Sequence, residues 1–173
     1  LPRPPPAEAA LASAPLAIQQ LTRDEIDALL AKARSDGGKL LPSGVRVVDL
    51  VVGDGPRPSK GARVWVAFKV WANGFDAGQV ADLSFLDGKP YDYALGAPTD
   101  RIPAGVDEGI AGMREGGWRR MVVPAALAYG EAGLRKTGRA PGGFSNKSEK
   151  AGFAVKPGQD VFFDIRLVDG GSG

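Results

Sequence analysis

The chain has 173 residues, of which 43% are hydrophobic and 24% charged, with a net charge of +2; this is the composition of one soluble globular domain with room for an appendage. It contains no Cys and no His, which removes thiol nucleophiles, Cys/His zinc sites, His-based triads and redox disulfides. The low net charge gives no electrostatic footprint for nucleic acid, and no apolar run approaches the ~20 residues of a membrane span.

Residues 1–20 carry Pro at 2, 4, 5, 6 and 15. Pro donates to neither a helix nor a sheet ladder, so this stretch reads as an extended Pro/Ala-rich arm, either solvated or docked on a partner. Residues 1–6 lack the basic start and continuous apolar core of a signal peptide. With Leu at position 1, the expectation is a processed mature form or a trimmed one. Thr22-Arg-Asp-Glu25 then fits a capping box. Ile26, Leu29, Leu30 and Ala33 follow at helical spacing until Gly37-Gly38. The expected layout is an arm over 1–21, a helix and linker over 22–40, and the main domain over 41–169.

From there the pattern is β-rich. Val45–Val52, Arg63–Trp71, Tyr91–Leu95, Trp118–Val123 and Asp160–Val168 are the expected strands. In the second, Val64, Val66, Phe68 and Val70 alternate with Trp65, Ala67, Lys69 and Trp71. Gly53-Asp-Gly-Pro56 is a turn. Gly105–Met113 is the one further helix, with Val106, Ile110 and Met113 on a single face. Residues 131–156 form a long segment rich in Lys and Arg, too long for an ordinary connection; it reads as a solvated insert, a basic contact surface or a lid. Adjacent Asp107-Glu108 point apart on a helix and make no carboxylate pair. Trp118-Arg119-Arg120 read as a sheet surface.

The run Gly105-Val-Asp-Glu-Gly-Ile-Ala-Gly-Met-Arg-Glu-Gly-Gly-Trp-Arg-Arg-Met-Val-Val-Pro124, with Tyr129-Gly130 just after, resembles the FKBP-type peptidyl-prolyl cis-trans isomerases. The resemblance extends from Leu41-Pro-Ser-Gly-Val45 to Val168. It implies an α+β fold: a half-wrapped antiparallel sheet with one short helix across it, here with an N-terminal helix and extended arm added. It also implies an apolar cage for a proline ring, working without cofactor, metal, acid or base. Carried over, Phe68 stands where the second strand usually has Tyr. Tyr91 lies in Lys89-Pro-Tyr-Asp-Tyr-Ala-Leu-Gly96, a pocket-wall motif. Ile102 matches the residue whose backbone faces the peptide. Val106 is the floor, Tyr129 the family Tyr, Val155 an aliphatic lip and Phe163 the Phe of the last strand. Asp82, in Ala81-Asp-Leu-Ser84, stands in the family's Phe-Asp-Ser-Ser motif and would orient Tyr129 or a nearby donor.

Three departures weaken the cage the resemblance implies: Val106 in place of the floor Trp, Ala81 in place of Phe, and Phe68 without a Tyr hydroxyl. Phe75-Asp76 is a real Phe-Asp pair at the wrong spacing. The expectation is therefore an isomerase of low activity, or a folding helper, acting on proline-containing polypeptides. The alternative is a non-catalytic assembly factor or subunit of a thylakoid membrane complex, meeting its partners through 1–21 and 131–156. The arm and the Leu-Pro-Ser-Gly opening resemble chloroplast thylakoid-lumen members, with a bacterial envelope as the second location.

Overall fold

The computed structural model describes residues 21–84, 89–135 and 152–171. The arm over 1–20 and the middle of the basic loop lie outside these residues. Helix α1 spans Arg23–Asp36. At its start the Glu25 N–H donates to Thr22 Oγ1 (3.3 Å) and the Thr22 N–H donates to the Glu25 carboxylate (2.7 Å), so two of the helix's orphan donors are satisfied reciprocally. Gly37, at φ 64°, ends it in the left-handed region, where a Cβ is disfavoured. The helix lies against strand β2 (Arg46–Val51), tied by Arg46 Nη1 donating to the Gly37 carbonyl at 2.8 Å. Ile26, Leu29 and Leu30 are only half-buried and stand outside the main apolar cluster.

The main body is one antiparallel sheet. Its other strands are β1 (Lys39–Leu40), β3 (Arg63–Trp71), β4 (Val80–Leu83), β5 (Tyr91–Ala94), β6 (Trp118–Val123) and β9 (Val161–Asp169), and its order is β1-β2-β6-β9-β3. The far edge of β3 is shared: Arg63–Val66 pair with β5, and Lys69–Trp71 pair with β4. Period-two alternation puts Val64, Val66, Phe68 and Val70 on one face with Val161, Phe163, Ile165 and Leu167, all at most 2% exposed.

Helix α2 (Ala104–Ala111) crosses that face. Val106, Ile110 and Met113 point into it, exposed by 0%, 0% and 2%. The approach is close because a Cβ on Gly105 would strike Val123 and one on Gly109 would strike Met121. Glycine at both positions lets backbone and sheet side chains meet. The expected half-wrapped sheet with a helix across it is what the chain adopts.

The opposite face carries a smaller second layer, and here one expectation is corrected. Trp118, Arg119 and Arg120 are no open sheet surface; they are 3%, 8% and 4% exposed. Arg119, which alternates onto the helix side with Met121, donates to both oxygens of Asp49 and to the Gly109 carbonyl of α2, while Trp118 and Arg120 point to the opposite face. Arg120 donates to Asp164 (3.1 Å) and Asp76 (2.8 Å), and its guanidinium lies 4.5 Å from the Phe75 ring centroid. Phe75 in turn packs edge-on to Trp71 and Phe162. The Phe75-Asp76 pair therefore caps this back layer and takes no part in the cage. Burial pushes the Asp164 carboxyl up, opposed by hydrogen bonds from Trp118 and Arg120.

Four short strands escaped the sequence pattern: β1, β4, β7 (Leu134–Arg135) and β8 (Phe153–Val155), the last two pairing with each other. Two to four residues are too few to show alternation. The ends of the long basic segment are thus strand, although it read as irregular throughout.

Candidate functional site

The cage is built where β3, β4, β5, β9 and the start of α2 converge. Strand β3 supplies Phe68 and β9 supplies Phe163, with ring centroids 6.0 Å apart and tilted by 45°. Strand β5 supplies Tyr91, whose ring meets Phe68 edge-on at 6.0 Å and 79°. Tyr91 and Tyr93, two apart on β5, share a face and stack at 6.4 Å. Ile102, Val106 and Val155 are all fully buried within the same apolar cluster, and Tyr129 packs against its border.

Among the polar groups, Asp82 orients a nearby donor, the second of its two expected roles, and the Ile102 N–H is already engaged. The Ile102 N–H, on the backbone that the resemblance turns toward the peptide, already donates to Thr99 Oγ1 at 3.0 Å. That same oxygen accepts from the Tyr91 hydroxyl (3.0 Å) and the Arg101 N–H (3.3 Å). Asp82 holds Arg101 and makes no hydrogen bond to Tyr129. Arg101 Nε donates to Oδ2 at 2.9 Å and Nη2 to Oδ1 at 2.8 Å, a bidentate pair. Nη2 also reaches the Leu83 carbonyl at 3.1 Å. The guanidinium carbon stands 5.1 Å from the Phe68 centroid and 5.1 Å from the Tyr91 centroid.

The Tyr129 hydroxyl is fully buried and finds no hydrogen-bond partner among the described residues. Burial pushes it above its ordinary range; the charge of Asp82 adds to that rise and Arg101 opposes it. It therefore stays protonated at neutral pH, a donor enclosed in an apolar setting. Leaving such a group unpaired costs about 1–3 kcal/mol. An incoming carbonyl oxygen would remove that cost.

Arg101 and Thr99 went unnoticed in the sequence, and Asp107 enters there only as a partner for Glu108. Arg101 and Asp82 are separated by 19 residues with strand β5 between them, and no periodicity links them. Asp107 is only 9% exposed and accepts from the Tyr93 hydroxyl (2.8 Å) and the Gly96 N–H (2.9 Å). Pro103 as N-cap and the buried face of α2 were the only signals that its first turn lies inward. A separate hollow of about 730 Å³ lies at the far end of α2, bordered by Leu41, Val47, Met113 and Arg119, and none of the eight cage positions lines it.

With this geometry in view, the family model described as FKBP-type peptidyl-prolyl cis-trans isomerase matches residues 55–168. The chain belongs to this family. The FKBP-type relatives include a Saccharomyces cerevisiae peptidyl-prolyl cis-trans isomerase, 38% identical over 130 residues, covering 75% of this chain and 26% of its own length. Another is FKBP16-3, chloroplastic, of Arabidopsis thaliana, 31% identical over 125 residues, covering 72% of this chain and 48% of its own. Among solved FKBP structures, AtFKBP13 superposes with a TM-score of 0.59 at 29% identity, covering 74% of this chain and 94% of that one. The chain thus spans about a quarter of the yeast relative and half of the Arabidopsis one. No helix among the described residues is long and apolar enough to cross a membrane.

Proposed function

We propose that the chain is a peptidyl-prolyl cis-trans isomerase acting weakly on proline-containing polypeptides, with residues 41–169 as the working unit. The observation that carries this reading is the buried Tyr129 hydroxyl without a hydrogen-bond partner among the described residues, set at the border of an apolar aromatic cluster.

The chemistry asks little of the protein. Resonance holds the amide planar behind a barrier of about 18–20 kcal/mol, and exchange at X–Pro takes tens to hundreds of seconds. A catalyst has only to prefer the twisted amide to the planar one. Phe68, Tyr91 and Phe163 surround the ring, and Val106 and Val155 close the apolar shell. Desolvation there weakens the more dipolar planar amide. Tyr129 donates to a substrate carbonyl. Asp82 fixes Arg101 at the rim and exchanges no proton. Every tenfold in rate requires about 1.4 kcal/mol of such preference.

Low activity follows from the side chains present. Val106 offers less apolar surface than an indole, and Ala81 supplies no ring. Each missing aromatic removes contact of about 1 kcal/mol or more. The second reading, a non-catalytic assembly factor or subunit of a thylakoid membrane complex, draws support from the Ile102 N–H, which Thr99 already occupies. In that reading residues 1–21 and 131–156 carry the contacts. A chloroplast location is supported by the FKBP16-3 likeness; the thylakoid lumen is the finer proposal and a bacterial envelope the alternative.

The test is a prolyl-peptide isomerisation assay on the purified chain, with Phe163→Ala and Tyr129→Ala beside it. Slow but measurable acceleration that falls in both variants supports the enzyme. Acceleration indifferent to both places the pocket elsewhere, and none at all favours the assembly factor.

A further inference from the structure

This inference rests on the isomerase reading and deepens it. We propose that Arg101 determines which prolines the cage accepts: its guanidinium occupies the corner between Phe68 and Tyr91, and a carboxylate on the residue preceding proline draws it out.

The two rings stand at 79° with centroids 6.0 Å apart, so they form a nearly right-angled corner. A flat or ring-sized group seated there touches both. The Arg101 guanidinium does so, 5.1 Å from each centroid, within cation–π range. It is firmly held, because Asp82 grips it through two hydrogen bonds and the Leu83 carbonyl takes a third. The side chains of Arg101 and Asp82 are only 12% and 13% exposed. A proline ring entering this corner has to move the guanidinium.

Moving it is unfavourable when nothing replaces Asp82, since parting a buried bidentate pair leaves two poorly solvated charges. A Leu-Pro or Ala-Pro segment brings no replacement. A Glu-Pro or Asp-Pro segment brings a second carboxylate beside the ring that takes the corner. The planar fork of arginine suits such a shift, because its five N–H donors let it turn toward the incoming carboxylate while one side of the fork stays on Asp82. The cage therefore discriminates by the charge of the neighbouring residue, and the substrate class is an acidic residue followed by proline.

The experiment compares isomerisation of matched Glu-Pro and Leu-Pro peptides by the unaltered chain at low and high salt, then by R101M and D82N/R101M. The double variant removes the charge that R101M alone would strand, and circular dichroism melts check that both fold. The expected result is a Glu-Pro preference of about tenfold in kcat/KM, equivalent to about 1.4 kcal/mol, that shrinks as salt rises. In the folded variants Leu-Pro turnover rises and the preference disappears. An unaltered chain without Glu-Pro preference overturns the inference whatever the variants do. So do folded variants that lose turnover of both peptides, because Arg101 would then be a needed wall. A chain that accelerates neither peptide overturns the isomerase reading itself.

Discussion

The Tyr93 hydroxyl of β5 donates to Asp107 Oδ1 of α2 at 2.8 Å, and the Gly96 N–H donates to the same oxygen at 2.9 Å. One carboxylate thus ties the strand, the loop after it and the first turn of the helix. That loop carries Thr99, Arg101 and Ile102, so the tie also fixes the rim of the cage. Tyr93→Phe should lower stability by about 1.5–3 kcal/mol, a charge-assisted hydrogen bond's worth. Asp107→Ala should cost more, since it strands the Gly96 N–H as well. Urea midpoints at unchanged slope would check this; equal midpoints for all three proteins would show the tie to be idle.

Two tyrosines give the chain an alkaline limit. Burial pushes the Tyr93 hydroxyl far up, and the hydrogen bond and charge of Asp107 add to it. Burial and the charge of Asp82 raise Tyr129. In the unfolded chain a tyrosine titrates near pH 10. Because both folded values lie higher, the stability these groups supply is fully present below about pH 10 and drains away as pH rises beyond it. Tyrosinate absorbance for Tyr93 and Tyr129 should therefore appear together with loss of the folded state. Smooth ionisation of both in a still-folded chain would contradict the burial argument.

The helix-to-sheet contact depends on glycine. A Cβ at Gly109 would press on the Met121 thioether. Gly109→Ala should destabilise by about 1–3 kcal/mol through overpacking, although Ala is the better helix former. Met121→Ala in the same chain should relieve part of the loss, leaving the pair non-additive. A double-mutant cycle on thermal midpoints reads this directly, and strict additivity would mean the helix simply shifts.

Much of this arrangement was legible in the residues, for identifiable reasons. The nine-residue alternation of β3 showed its inward face, and Val106, Ile110 and Met113 marked the helix stripe. Thr22 and Glu25 announced the start of α1 because capping is local. The cage aromatics came from the family resemblance, since Phe68 and Phe163 alone look like ordinary core. What stayed hidden was non-local polar pairing: Arg101 with Asp82, Arg120 with Asp164 and Asp76, and Asp107 with Tyr93. Such pairs join residues distant in the chain, and neither propensity nor periodicity records which charges meet. For the same reason Trp118-Arg119-Arg120 looked like a solvated face.

The back layer tests that point. Arg120 is 4% exposed between Asp164 and Asp76, beneath the Phe75 ring. Arg120→Ala should cost about 3–5 kcal/mol, because Asp164 would remain buried without its hydrogen-bonded guanidinium, with only the charge of Arg166 nearby. Arg120→Met with Asp164→Asn should recover much of that by removing both charges at similar volume. Calorimetry on the three proteins would decide, and a mild Arg120→Ala would mean that water reaches Asp164.

Tyr129→Phe separates function from stability by sign. The hydroxyl has no partner among the described residues, so removing it relieves a buried polar group, and the variant should match or exceed the parent by about 1 kcal/mol. In the proposed site that hydroxyl donates to a substrate carbonyl, so kcat/KM for prolyl peptides should fall about tenfold or more. Most of that fall should lie in kcat if the bond tightens as the amide twists. A stability loss with unchanged turnover would mean that the hydroxyl serves the fold and that another group holds the peptide.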